Sequence, residues 1–143
     1  SFKIVMTFLS EYINIECNIR VYYQDTDSGG VVYHGAYLNF LERARTEWFR
    51  NMGLSHTDFF DKNNTLFVVR KANLRFIKPA KLDNLLKVTC YPVEIKKLQI
   101  LFKQEIFTRG MKIMQSSINL GCLDSTYFKP KLIPEILLKK LNC

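Results

Sequence analysis

The stretch INIECNIRVYYQDTDSGGVVYHGAYLNFLERARTEWFRNM, residues 13–52, carries two different hydrophobic periods on either side of a glycine turn. In its first part Ile13, Ile15, Cys17, Ile19, Val21 and Tyr23 alternate with Asn14, Glu16, Asn18 and Arg20. A period of two places the apolar set on one face, so residues 13–23 are predicted as a half-buried strand. In its last part Tyr37, Leu41, Ala44 and Trp48 recur at helical spacing while Glu42, Arg43, Glu47 and Arg50 lie off that line. This predicts an amphipathic helix over residues 35–52, with Gly53 as its C-terminal cap. Between the two lies a loop with Asp25, Asp27, Ser28, Gly29 and Gly30, whose paired glycines permit a sharp change of direction.

Outward from this stretch, a short helix is expected over residues 55–61, followed by strands over 66–77, 85–97, 98–108 and 111–123. Pro79 separates the first two, Asp83-Asn84 marks the turn before the second, and Arg109-Gly110 suits a tight hairpin between the last two. A short C-terminal helix over about residues 134–142 follows Pro134. The order is that of a single α+β domain spanning residues 1–143, with an antiparallel sheet of about five strands and one long helix. One helix cannot cover both faces of such a sheet, so the other face is solvated or covered by a second subunit. The Phe, Ile and Leu content of the strands favours the second subunit. On the helix, Glu42 with Arg45 and Arg43 with Glu47 have the spacing of supporting ion pairs, each about 0.2–0.5 kcal/mol.

With 48% hydrophobic and 13% aromatic residues the chain has the material for a core, and global disorder is excluded. The formal charge of +8, from 21 Lys and Arg against 13 Asp and Glu, favours a polyanionic partner: a phosphorylated cofactor, a nucleic acid or an acidic membrane. Cys17, Cys90, Cys122 and Cys143 form no C-x-x-C pair, which argues against a zinc knuckle or a redox motif and for free thiols in the cytoplasm. The apolar run at residues 2–9 is too short for a membrane span and lacks a leader's small-residue cleavage site; Met6 stands as a candidate native start.

The chemistry concentrates in residues 23–38. A carboxylate on a glycine loop precedes a helix N-terminus, whose first backbone N–H groups have no intrahelical partner and carry partial positive charge. Such amides hold a developing oxyanion, and Asp27 supplies a base or nucleophile close by, which together is what acyl transfer to water requires. An Asp before a helix also serves as a cap or turn residue, and that reading of Asp27 stays open here. His34 is a candidate base, orienting donor or structural residue, and His56 is read as surface or packing. Val32, Tyr33 and Tyr37 are candidate substrate contacts, although aromatics that open an amphipathic helix also serve as core. The motifs of nucleotide hydrolysis, dinucleotide binding, serine hydrolysis and zinc catalysis are absent from the chain.

The run Tyr23-x-Asp25-Thr26-Asp27-x-x-Gly30-Val31-Val32-Tyr33-His34-x-x-Tyr37-Leu38, followed by Leu41-Glu42-Arg43-Ala44-Arg45, resembles the signature of the 4-hydroxybenzoyl-CoA thioesterase family. Within it the chain is most similar to the YbgC-like branch, associated with the Tol-Pal envelope system. A second block agrees: Phe67-Val68-Val69-Arg70-Lys71, then Phe76, Pro79-Ala80 and Leu82-Asp83. The resemblance implies a hotdog fold, a sheet wrapped around the long helix, with two subunits joined edge to edge as a homodimer or homotetramer and active sites at their interface. It implies hydrolysis of an acyl-coenzyme A, with Asp27 as the catalytic carboxylate and the His34 backbone N–H as the oxyanion donor. No cofactor or metal is implied, coenzyme A being part of the substrate.

Arg70 and Lys71 are the first candidates for the coenzyme's phosphates, which need cations or free amides. Glu42 ranks below Asp27, because a Glu beside Arg45 suits a salt bridge. The alternative function is a non-catalytic scaffold that binds acyl carrier protein or envelope enzymes, for which the positive charge is also suited. Nucleic-acid binding is disfavoured, since the basic residues are scattered and no recognisable RNA motif is present. The Asp-x-Asp-x-x-Gly pattern points to hydrolysis over the dehydration or hydration that other hotdog enzymes perform.

Overall fold

A computed structural model describes residues 14–142; Ile13, the run at residues 2–9 with Met6, and Cys143 lie outside them. Its elements are β1 (Ile15–Arg20), a 3-10 turn (Tyr23–Asp25), α1 (His34–Asn51), α2 (His56–Asn63), β2 (Thr65–Phe76), β3 (Leu85–Ile95), β4 (Gln99–Thr108), β5 (Met111–Asp124) and α3 (Glu135–Asn142). The five strands form one sheet in the order β1-β3-β4-β5-β2, every neighbouring pair antiparallel. The hairpin at Arg109-Gly110 is realised with both residues at positive φ, 53° and 75°, the geometry that follows strand twist in a two-residue turn.

The helix-covered face of the sheet is read from the pairing register. On β4 Ile100, Phe102, Gln104 and Ile106 stand on one face, opposite Leu120, Ile118, Ser116 and Met114 of β5, and all eight are buried. Against them α1 buries Tyr37, Phe40, Leu41, Ala44, Arg45, Trp48 and Phe49. Trp48 and Phe49 stack edge-on to each other at 4.9 Å, and Trp48 meets Phe102 at 4.9 Å. The expected C-terminal cap of α1 is a Schellman turn: Gly53 has φ 76°, its N–H reaches Arg50 O at 2.8 Å, and the Leu54 N–H reaches Phe49 O at 3.0 Å. Ser55 caps α2 by accepting the Asp58 N–H at 3.0 Å. After β5, Ile133, Leu137 and Leu141 of the C-terminal segment close one end of the core.

Three local expectations change. The first strand stops at Arg20 and does not reach Tyr23: the Asp25 carboxylate accepts the Tyr22 N–H at 2.9 Å, and the Asp25 N–H reaches Tyr22 O. This turns the chain just past the buried Val21 and leaves Tyr23 83% exposed instead of on the apolar face. On α1, Arg45 donates to Gln104 Oε1 of β4 at 3.0 Å, and Glu47 pairs with Arg50, so neither expected helix ion pair is the one formed. The uncovered sheet face carries Lys71, Asn73, Arg75, Lys87, Lys103, Ser117 and Asn119 among scattered Leu and Phe side chains, a more polar surface than the composition suggested.

Candidate active site

The turn that bears Asp27 is closed by its own backbone. The Asp27 N–H reaches Val31 O at 2.9 Å, and the Gly30 N–H reaches Asp27 O at 3.1 Å. Gly30 has φ 79°, a conformation that glycine adopts without the strain a side chain would bring. The Gly29 N–H donates to Asp27 Oδ1 at 2.8 Å, which fixes the carboxylate's rotation. Beyond the turn, residues 30–32 run as a short ladder between Thr26 on one side and Lys81 on the other. The Val32 N–H meets Ala80 O at 2.9 Å, and the Leu82 N–H meets Gly30 O at 3.2 Å. The Tyr33 N–H then donates to Asp25 O at 3.2 Å, and α1 begins at the next residue with Tyr33 as N-cap.

Asp25 and Asp27, two residues apart, therefore have different fates. Asp25 is buried and holds the turn through Tyr22, whereas Asp27 is exposed with one oxygen committed to Gly29. His34 is the first residue of an 18-residue helix, and among the described residues its backbone N–H meets no acceptor. Its position at the positive end of the helix dipole suits it to a negatively charged oxygen.

Asp27, Val32, Tyr33, His34 and Tyr37 line one open cavity of about 370 Å³, together with Val31, Phe76, Ile77, Lys78 and Pro79. Tyr37 is core and wall at once. It is 3% exposed, stacks edge-on to Phe76 at 5.1 Å, and its hydroxyl accepts the Ala80 N–H at 3.0 Å, which ties the 76–80 segment to α1. Burial pushes the Tyr37 phenol up from its ordinary pKa, against the smaller opposing effect of the Ala80 N–H, so it stays neutral at physiological pH. The His34 ring lies 5.1 Å from Phe76.

Sequence reasoning did not assign a role to Phe76, Ile77, Lys78 and Pro79, the wall that β2 delivers to the cavity. Phe76 and Pro79 stand in the second block of resemblance, whereas Ile77 and Lys78 carried no signal. Arg70 and Lys71 do not line this cavity. Arg70 is the extra residue of a β-bulge, its aliphatic stem lies across Gly121, and its guanidinium reaches Gln99 Oε1 at 3.3 Å. Lys71 pairs with Asn119, which places it on the face away from α1, and five residues of strand separate it from Phe76, roughly 17 Å. Glu42 and His56 line a separate apolar groove of about 560 Å³ between α1 and β2. His56, expected as surface or packing, is exposed with its ring on Phe49 at 5.0 Å.

Among the described residues no cluster of His, Cys, Asp or Glu could hold a metal ion. No helix of the described residues is long and apolar enough to cross a membrane. What the cavity offers is a carboxylate held in one rotation, an unpaired helix-terminal amide and apolar walls. These are the parts that acyl transfer to water uses.

Residues 29–114 match the thioesterase superfamily, and the chain belongs to that family. Its sheet and long helix are those of the hotdog-fold thioesterases: a DHNA-CoA thioesterase of Staphylococcus aureus superposes with a TM-score of 0.79 at 28% identity, over 83% of this chain and 80% of that one. Among curated relatives, the acyl-CoA thioesterase YbgC of Haemophilus influenzae is 38% identical over 82% of this chain and 86% of its own length. The acyl-CoA thioesterase YbgC of Helicobacter pylori is 33% identical over 86% and 96%.

Proposed function

We propose that this chain hydrolyses the thioester of an acyl-coenzyme A to a free acid and coenzyme A. The observation that carries the reading is the meeting, in one cavity, of the Asp27 carboxylate and the free N-terminus of α1. The thioester oxygen lies against the His34 N–H, which stabilises the negative charge that develops as the carbonyl carbon is attacked. Asp27 either adds to that carbon, forming a mixed anhydride that water opens, or removes a proton from the attacking water. In both routes the C–S bond breaks, the coenzyme leaves as a thiolate that takes up a proton, and the acid keeps an oxygen from water. Tyr33, Tyr37 and Val32 form the acyl side of the cavity. The relatives named as acyl-CoA thioesterases support this reading; the fold and the relatives give no support to a non-catalytic scaffold.

The active unit we propose is a homodimer joined through β2. This twelve-residue strand ends the sheet with an open edge and exposes Val69 and Phe76 beside the cations Arg70, Lys71 and Arg75, and a long open edge is a template for pairing. The cytoplasm is the compartment consistent with a coenzyme A substrate and with free thiols at Cys17, Cys90 and Cys122.

Asp27→Asn tests the proposal. The amide oxygen keeps the Gly29 hydrogen bond and so the turn, while basicity and nucleophilicity are lost. Hydrolysis of an acyl-CoA, followed by thiol release, is expected to fall by about 10²–10⁴-fold with the melting temperature unchanged. A folded Asp27→Asn protein with the parental rate would refute it.

A further inference from the structure

At the end of the sheet opposite the cavity, a loop holds apolar side chains out in solvent. β2 begins there at Thr65 and runs twelve residues to Phe76 on the cavity wall, so roughly 35 Å separates the two ends. β5 ends there at Asp124, opposite Thr65. The chain then turns and runs back beside β5, with Pro130 bridged to Leu123 and the Lys131 N–H on Cys122 O at 2.9 Å. The turn is tightly fixed. The Asp124 carboxylate accepts the Thr126 and Tyr127 N–H groups, each at 2.9 Å, and the Asn64 side-chain amide at 3.0 Å. The Phe128 N–H meets Asp124 O at 2.8 Å, and the Thr126 hydroxyl donates to Asn64 Oδ1 at 3.0 Å.

This fixed turn presents Tyr127, 74% exposed, and Phe128, 64% exposed, with Leu132 at 63% on the returning segment. Phe128 has φ 57°, a left-handed conformation in which a bulky aromatic is an outlier. Glycine would take that turn with less strain, and the solvated ring adds nothing to the core, so its role lies outside the fold. Cations are interleaved with these side chains. Residues 125–133, STYFKPKLI, hold Lys129 and Lys131 and no Asp or Glu. Lys131 is held on the carbonyls of Asn63 and Asn64. The turn between β3 and β4 lies alongside, since Lys97 O accepts the Ile133 N–H and Leu98 O the Cys122 N–H, each at 2.9 Å. Lys97, Leu98 and Lys129 are exposed, and among the described residues neither Lys97 nor Lys129 is in an ion pair.

We propose that this loop docks the protein on an anionic lipid bilayer, with Tyr127, Phe128 and Leu132 entering the headgroup region and the lysines drawn to the lipid phosphates. A protein partner would have to supply a recess for each protruding side chain, whereas a fluid interface closes around any shape. Tyrosine suits that interface, its ring being apolar and its hydroxyl hydrated. Insertion of apolar side chains and attraction of cations are the two contributions that reversible membrane binding combines. The attraction acts over a Debye length, about 8 Å at physiological salt, so it does not require one fixed pose of either exposed lysine. Docking by this end leaves the cavity clear of the bilayer.

Co-sedimentation with vesicles tests the proposal, using phosphatidylcholine alone and phosphatidylcholine with roughly 30% phosphatidylglycerol. The parent is expected to bind the anionic vesicles at least about tenfold more tightly than the neutral ones and to lose most of that binding in about 1 M NaCl. Tyr127→Ser/Phe128→Ser leaves the net charge unchanged, so its expected loss of about tenfold in binding reports insertion and not general electrostatic adsorption. Phe128→Gly removes the ring and relieves the backbone; it is expected to weaken binding several-fold, roughly threefold or more, with a melting temperature at or above the parental one. In Phe128→Trp the emission is expected to move to the blue on addition of anionic vesicles, over the constant contribution of the buried Trp48. Parental binding by folded Phe128→Gly and Tyr127→Ser/Phe128→Ser proteins, or an unmoved emission, overturns the proposal. So does a parent that leaves the anionic vesicles unbound; a lower mass of the Tyr127/Phe128 variant in light scattering would then assign the patch to contact between copies of the chain.

Discussion

Replacing Gln104 by Leu tests how the core accommodates a buried cation. Arg45 is 7% exposed, and its guanidinium donates to Gln104 Oε1 at 3.0 Å; Gln104 is fully buried, and its amide donates in turn to Leu41 O at 2.9 Å. Burial lowers the Arg45 pKa from its ordinary value, with Cys90 and Glu42 opposing that shift. Gln104→Leu keeps the volume and removes the acceptor, so a buried charge loses its hydrogen bond at a cost of about 2–3 kcal/mol. For a domain of this size that is a fall in Tm of roughly 5–10 °C. Arg45→Met removes the charge along with its desolvation and leaves only a neutral amide oxygen unpaired, about 1 kcal/mol. The double variant exchanges both polar groups for apolar ones and should lie closer to the parent than Gln104→Leu alone, a coupling of about 1.5 kcal/mol or more. Urea unfolding followed by far-UV circular dichroism at one fixed protein concentration measures all four proteins. Additive single effects, or Arg45→Met costing more than Gln104→Leu, would refute the reasoning.

Two further perturbations follow. Partial desolvation of the otherwise exposed His56 by Phe49 and Phe67 lowers its pKa, with Glu42 opposing the effect and Arg45 and Arg50 adding to it. The folded state thus binds this proton less readily than the unfolded chain: the stability is complete above the unfolded pKa near 6.5 and declines as pH falls below it towards the folded value. The urea midpoint should drop between pH 7.5 and 5.5 less in His56→Gln than in the parent, and equal drops would count against this assignment. Asp25→Ala removes the acceptor of the Tyr22 N–H and is expected to cost about 1–2 kcal/mol and to lower kcat/KM by displacing Asp27, while Asp25→Asn restores most of both. Calorimetry and thiol release check the pair, and full activity in Asp25→Ala would separate the two carboxylates' positions.

The parts of the fold that could be read from sequence were those in which one period dominates a long segment. The strands β4 and β5, the helical line on α1 and the turn chemistry of Arg109-Gly110 and Gly53 each had a local physical cause, and each took its expected form. The first strand ends short of its expected bound because Tyr23 keeps the apolar rhythm while the Asp25 carboxylate, bonded to the Tyr22 N–H, folds the backbone. Pairings across the sheet had no local trace of that kind. Arg45 and Gln104 are 59 residues apart, yet the alternation places Gln104 between Phe102 and Ile106 on a core face, and a polar residue there requires a partner. That requirement was the available signal. Lys78 and the wall from Phe76 to Pro79 enter the cavity only because β2 pairs with β5 and Tyr37 anchors Ala80, connections that no spacing along the chain expresses.

At Asp27 the two readings left open by the sequence describe one arrangement. The hydrogen bond from the Gly29 N–H makes Asp27 a turn residue, and the same bond removes the carboxylate's rotational freedom on the rim of the cavity that His34 also lines. A carboxylate oriented in advance loses less entropy on reaching its reactive geometry, so in the proposed hydrolysis the turn would contribute through orientation. Asp25, equally placed in the motif, lacks this function because its buried oxygen serves Tyr22 and its backbone carbonyl serves Tyr33. The spacing of the two acids is thus a division of work: the first sets the path of the chain into α1, and the second is carried by that path to the helix terminus. Substitutions at position 25 should consequently alter folding and rate together, whereas the amide at position 27 should alter rate alone.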